Sequence, residues 1–197
     1  MKDFTEIQKH VFNKLKENLP GFLTYHNPSH TVDVLTQCRV IAGEEHITSA
    51  HDLFLLQVSA LYHDTGFIYS YGNHEEKSCE LATEELPQFG LTQKDIEVIC
   101  GLIMATKIPQ SPKTALEQVI CDADLDYLGR PDFYTIGNGL YKEFLHQGIV
   151  KDELSWNQLQ IRFLESHQYF TNTCRAKREK GKQQHLDEIK EKVALVE

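Results

Sequence analysis

No stretch of this 197-residue chain approaches the ~18 consecutive apolar residues that a membrane-spanning helix needs. The opening MKDFTEIQKH is also too polar for a secretory signal, so a soluble, cytoplasmic protein is expected. Basic residues are in deficit: 20 Lys and Arg stand against 29 Asp and Glu, for a formal net charge of −9. That balance argues against nucleic acid and anionic membrane as partners, because both select a broad basic face. Cysteine is sparse and shows no CxxC spacing. The five positions (38, 79, 100, 121 and 174) each fall in a helical apolar pattern, which points to reduced, packed thiols. Pro, Gly and Ser never gather into a linker, and no repeat or low-complexity block occurs, so one domain over residues 1–197 is expected. Strand patterning is almost missing as well. Its one instance, GFIYSYG, is too short and too glycine-flanked to support a sheet.

What the chain has in quantity is apolar residues spaced by three and four, interrupted by helix stops. Phe4, Ile7, Val11, Phe12 and Leu15 make one stripe, ended by Pro20-Gly21. Asn27-Pro28 reads as an N-cap with Pro at the first helical position, opening a helix through Val32, Leu35, Cys38 and Ile41. Ser49 caps the next helix, which carries Leu53, Leu56, Ala60 and Leu61 and is expected to stop at Gly66. Residues 75–86 and 92–105 predict two more, and Thr114 with Glu117 forms a capping box before another. Pro131 opens a helix to about His146, and Ser155 is expected to cap a long final stretch. The fold class is all-α, a single-domain helical bundle.

Residues able to carry chemistry gather at the ends of these helices. His26 and His30, in YHNPSHTVDV, flank a helix N-terminus, whose partial positive charge disfavours imidazolium and keeps His30 in the neutral form a metal ligand needs. His63-Asp64, in LYHDTGF, lies at a helix C-terminus, where free carbonyls and a carboxylate favour a cation. A second His-Asp pair, His51-Asp52, sits in the first turn after Ser49, where a capping role accounts for it. His74 in NHEEKS and Asp122 in CDADLDYLG complete the set.

In that order, YHNPSHTVDV, ALYHDTGF, NHEEKS and ICDADLDYLG resemble the motif series of the HD-domain metal-dependent phosphohydrolases, an all-helical superfamily. YHNPSH is similar to the helix-start motif of the cyclic-nucleotide phosphodiesterases within it. The resemblance runs from about residue 24 to 130, with 131–197 as C-terminal helices, and HQYFTNTCRAKREKG is similar to the closing helix of small bacterial members. Position by position, it implies His30, His63, Asp64 and Asp122 as metal ligands, with Asp64 bridging to a second ion. Asp124 is the competing carboxylate. His26 matches the position that gives a proton to the leaving oxygen, and His74 a position that binds phosphate or a second metal. One departure stands out: where multi-His relatives place further histidines, this chain reads IMATK, with Thr106 and Lys107. One tight divalent ion is therefore expected (Mn, Mg, Fe, Co, Ni or Zn), and at most a weaker second one.

Such a set suits phosphate-ester hydrolysis, because a divalent cation supplies hydroxide at neutral pH and neutralises phosphate oxygens. The expected substrate is a small phosphorylated metabolite, a nucleotide monoester or cyclic diester, with Lys107, Arg130, Arg175 and Arg178 as candidate phosphate contacts; Lys182 lies in the same basic stretch. His10, His46, His146, His167 and His185 fall outside the motifs and read as surface or packing residues. The alternative is a metal- or nucleotide-binding sensor without turnover, which the IMATK departure keeps open.

Overall fold

The computed structural model describes residues 3–195, and among these there is no strand. Nine α-helices follow one another: α1 (Phe4–Asn18), α2 (Pro28–Glu44), α3 (Ala50–Tyr62), α4 (His74–Glu85), α5 (Gln93–Ala105), α6 (Ala115–Asp124), α7 (Phe133–His146), α8 (Glu153–Ser166) and α9 (Asn172–Ala194). Short 3-10 turns at Thr65–Ile68, Leu86–Phe89 and Asp126–Gly129 join α3 to α4, α4 to α5 and α6 to α7. No helix is long and apolar enough to cross a membrane among the described residues. The all-helical, single-domain class expected from the periodicity is the class observed.

Most helix starts follow from side chains that replace the missing backbone partners of a first turn. The Asn27 side chain accepts from the backbone N–H groups of Ser29 and His30, and Ser49 accepts from that of Asp52. Thr92 with Asp95, and Thr114 with Glu117, close reciprocal capping boxes. The C-terminal third departs from expectation. Asp152, not Ser155, caps α8; Ser155 is its reciprocal partner at the third helical position, and a separate cap at Thr171 starts α9. GFIYSYG is not extended: it holds the 3-10 turn Thr65–Ile68.

The helices bury two apolar clusters. The larger unites α1 to α6, with Ile7, Val34, Leu56, Ile99 and Ile120 fully or almost fully enclosed. The smaller is built from Tyr25 of the loop before α2 and from Leu125, Tyr127, Leu128, Phe133, Leu164, Leu186 and Ile189, contributed by the α6–α7 connection and α7 to α9. Cys38, Cys121 and Cys174 are buried free thiols, and Cys79 and Cys100 face each other, half-buried, across α4 and α5.

Gly66 does not end α3, which stops four residues earlier at Tyr62. Its role is close approach: a Cβ at Gly66 would stand 1.9 Å from the His74 carbonyl oxygen. The absent side chain lets α4 press its first turn onto the 3-10 turn. The contact is tied by Ser78, whose hydroxyl donates to the His63 carbonyl at 2.7 Å and accepts from Gly66 N–H at 2.9 Å. In this way α4 brings His74 up to the His63-Asp64 pair.

Candidate metal centre and cavity

Three helix ends converge. His30 comes from the first turn of α2, His63 and Asp64 from the end of α3, and Asp124 from the last residue of α6. The two imidazole Nε2 atoms lie 3.3 Å apart. Asp124 Oδ1 is 3.1 Å from His30 Nε2 and 3.5 Å from His63 Nε2, while Asp64 Oδ2 lies 3.3 and 3.1 Å from the same two atoms. His63 Nδ1 is 2.9 Å from the Ala60 carbonyl, which can only accept, so Nδ1 carries a proton and Nε2 is turned toward the cluster. Asp64 Oδ2 is buried and receives no hydrogen bond.

The electrostatics of this cluster are those of a cation well. Burial alone would lower both imidazole pKa values, yet the two carboxylates override it and raise His30 to about 9 and His63 well above its ordinary value. Burial would raise the carboxylates, and the neighbouring histidines instead hold Asp64 and Asp124 well below the usual range. Without a metal, the site compensates its two carboxylates with protons on imidazole. A divalent cation would supply the same charge with one ion. The donor set, two imidazoles and carboxylate oxygen in a buried pocket, fits such an ion, and His30, His63 and Asp124 form a three-donor group of the required compactness.

Asp122 is not in this group, which corrects the assignment implied by the motif. Its Oδ2 accepts from the backbone N–H of Thr171 at 2.7 Å and from the Thr171 hydroxyl at 2.6 Å, and its Oδ1 from Phe170 N–H at 2.9 Å. Asp122 therefore anchors the start of α9. Two residues along a helix is a rotation of ~200°, so Asp122 and Asp124 must face opposite sides of α6. Asp126 takes a third role, fully buried between Arg178 at 2.7 Å and Arg130 at 3.4 Å.

His26 lies beside the centre in the loop before α2. Its Nδ1 is 2.7 Å from Glu143 Oε2, and Glu143 Oε1 accepts from the backbone N–H groups of Tyr25 and His26. Glu143 is fully buried on α7. Burial would raise its pKa, but His26 and these N–H groups hold it low, so it is ionised and His26 Nδ1 must be the donor. The sequence reading passed over Glu143, although a signal exists: it extends the Ile136, Leu140 spacing onto the apolar stripe of α7, where a carboxylate needs a partner.

His74 lies 3.6 Å from Asp64 Oδ1 and 3.4 Å from Glu75 Oε1. Its Nδ1 is buried without a hydrogen bond, and burial lowers its pKa, so the ring is neutral near pH 7. Phe67 packs against both His74, at 3.9 Å, and His26, at 4.1 Å, and the two imidazoles lie 6.1 Å from each other.

A cavity of about 320 Å³ opens from this centre, with His26, Asp64, His74, Glu75 and Asp124 at its mouth. The expected phosphate contacts are elsewhere. Lys107 pairs with Glu76, Arg130 with Asp33, Asp126 and Asp132, and Arg178 with Asp126; Arg175 donates to the Tyr169 carbonyl, and Lys182 to that of His167. Lys107 ties the end of α5 to α4, the other four fasten α9 and the α6–α7 connection, and no Lys or Arg lines the cavity among the described residues. Of the five histidines outside the motifs, His10 pairs with Glu85, His146 stacks on Phe22 and His185 on Phe133, and the separate His51 of the α3 capping turn reaches Asp95 at 3.1 Å.

The family model for the HD domain matches residues 29–126. Among solved structures, the chain is similar to one described as a predicted HD superfamily hydrolase from an uncultured Thermotogales bacterium. The TM-score is 0.62 at 18% identity, over 96% of this chain and 92% of that one, a likeness of fold. No curated protein matches the chain.

Proposed function

We propose that this chain, which belongs to the HD-domain superfamily, is a metal-dependent hydrolase of phosphate esters. The observation that carries the reading is the convergence of two Nε2 atoms and two carboxylate oxygens, with paired distances of 3.1 to 3.5 Å, at the mouth of a cavity. His30, His63, Asp64 and Asp124 would hold the ion. The chemistry a divalent cation supplies there is acidification of a water molecule and positive charge beside the phosphate oxygens.

The protein's own groups do the rest. His26, its Nδ1–H held by Glu143, keeps its other ring nitrogen for the substrate and, in the imidazolium form, gives that nitrogen's proton to the leaving alkoxide and is left neutral; help of this kind is typically worth about 10²- to 10⁴-fold. Glu143 fixes the direction of that transfer by orienting the ring. His74, neutral and facing the cavity, offers a hydrogen bond to a phosphate oxygen. Phe67 packs against both rings and holds them in place, and their centroids, 6.1 Å apart, leave room for the two to act on different oxygens. The finer reading, a nucleotide monoester or cyclic diester as substrate, rests on the YHNPSH resemblance.

The test is hydrolysis of a panel of phosphate mono- and diesters by metal-stripped protein resupplied with Mn²⁺, Mg²⁺, Fe²⁺, Co²⁺, Ni²⁺ or Zn²⁺, beside His63→Ala and Asp124→Ala. Metal-restored turnover that disappears in both variants supports the enzyme. A second reading, a sensor that binds without turnover, is favoured by the lack of Lys or Arg in the cavity. It requires a ligand-dependent rise in melting temperature with no phosphate released.

A further inference from the structure

The cavity walls say more about the substrate than its mouth does. Beyond the acidic and histidine residues, the lining is mainly apolar, with Leu140, Phe144, Trp156, Leu159 and Phe163 contributed by α7 and α8; Thr106, Gln160 and two tyrosines are its other polar groups. Leu140, Phe144, Leu159 and Phe163 are only partly buried: Leu140 and Phe163 pack on one side against the smaller core cluster and Phe144 against Trp156, and all four leave apolar surface open at the chamber. Unfilled apolar surface of this kind, continuous with a polar centre, is the ordinary composition of a small-molecule site.

Charge limits the occupant from the other direction. The charged or readily titrated groups of the lining are histidines and the carboxylates of Asp64, Glu75 and Asp124, and Lys107, which stands in sequence between the lining residues Thr106 and Ile108, is paired with Glu76. One phosphate is accommodated by an ion at the centre. A second or third phosphate would lie against carboxylates, apolar walls or at best neutral polar groups such as Gln160, with no Lys or Arg in the lining to offset its desolvation. Size agrees with a ring-sized body: an apolar cavity of roughly 150 Å³ takes one benzene, and this chamber, at about 320 Å³, is about twice that.

From these features, and resting on the phosphate-ester reading above, we propose that the substrate is a singly phosphorylated ester whose organic body is uncharged, ring-sized and mainly apolar, seated between α7 and α8. Nucleoside polyphosphates and phosphates of free sugars are poor substrates by the same reasoning, and among nucleotides only those with a single phosphate remain.

Trp156 is the single tryptophan of the chain and lines the chamber, so its emission reports occupancy without turnover. The experiment titrates Mg²⁺-loaded protein with benzylphosphonate, cyclohexylmethylphosphonate, methylphosphonate and pyrophosphate while following Trp156, and in parallel measures kcat/KM for benzyl phosphate, glucose 6-phosphate and ATP. The two ring-bearing phosphonates are expected to shift Trp156 emission and to bind at least about tenfold tighter than methylphosphonate. Leu159→Gln is expected to erase most of that difference while leaving Mg²⁺ affinity unchanged, with Phe144→Ala as the second wall variant should the first fold poorly. Equal affinity for methyl- and benzylphosphonate, or tighter binding of pyrophosphate, would overturn the inference even if esters are hydrolysed. Ring-selective binding with no turnover of any ester would instead uphold it and defeat the hydrolase reading.

Discussion

Glu143 Oε2 lies 2.7 Å from His26 Nδ1, though 117 positions separate the two residues. A fully buried carboxylate on α7 thus decides how an imidazole in the loop before α2 presents itself to the cavity. Glu143→Gln keeps the shape and removes the charge. It is expected to lower kcat by about 10- to 100-fold with little change in metal affinity, while Glu143→Ala also leaves the Tyr25 and His26 N–H groups unpaired and costs about 1 to 3 kcal/mol of stability. Steady-state kinetics beside thermal melts check both, and an unchanged kcat in Glu143→Gln would remove the positioning role.

The two aspartates at the end of α6 separate in a paired experiment. Asp124→Asn is expected to weaken divalent-metal binding at least tenfold and abolish turnover while the melting temperature of the metal-free protein stays within a few degrees. Asp122→Ala is expected to do the reverse: it strips Phe170 and Thr171 of their acceptor and costs about 1 to 3 kcal/mol, with metal affinity retained. Isothermal titration with Mn²⁺, beside denaturant unfolding, reads both.

The metal-free centre makes stability depend on pH from two sides. His30 titrates at about 9 in the folded chain and near 6.5 unfolded, so its contribution is fully present below pH 6.5 and is lost as pH rises through about 9. Asp64 and Asp124 are held low, so their contributions are present above the ordinary carboxylate range near pH 4 and fade as pH falls through their lowered values. Metal uptake runs opposite to the histidine effect, because the ion must displace imidazole protons: affinity rises with pH up to about 9, and protons are released on binding. Metal titrations in buffers of different ionisation enthalpy count those protons, and a pH-independent affinity between 6 and 9 would contradict the charge assignment.

Gly66→Ala tests whether α4 delivers His74. The added Cβ would meet the His74 carbonyl oxygen at 1.9 Å, so α4 must retreat. A destabilisation of about 1 to 3 kcal/mol is expected. A fall in turnover larger than the loss of folded protein should accompany it, visible as reduced kcat at a temperature where circular dichroism shows the chain folded.

Much of this molecule was legible in one dimension because it is decided over three or four residues. The caps at Asn27, Ser49, Thr92 and Thr114 are local chemistry between a side chain and the N–H groups of its own first turn, and so is the 3.6-residue spacing of Ile96, Ile99 and Ile103. The order of the motifs around His26, His30, His63-Asp64 and His74 was readable for the same reason. Each sits at a helix end that its neighbours announce.

What needed the tertiary structure were choices among chemically identical residues. Asp122, Asp124 and Asp126 share residue type and spacing at the end of α6 and the turn that follows it, and only the direction each faces decides that Asp124 meets His30, Asp122 holds Thr171, and Asp126 is clamped by Arg130 and Arg178. Lys107, Arg130, Arg175 and Arg178 carry the charge a phosphate site calls for, yet their partners come from residues brought close by packing, and those partners take them out of the cavity. By itself the sequence determined an all-helical chain with a set of ligand-capable residues at helix ends. Packing alone decided which carboxylate completes the centre and what kind of wall stands behind it, because both depend on contacts between residues about a hundred positions apart.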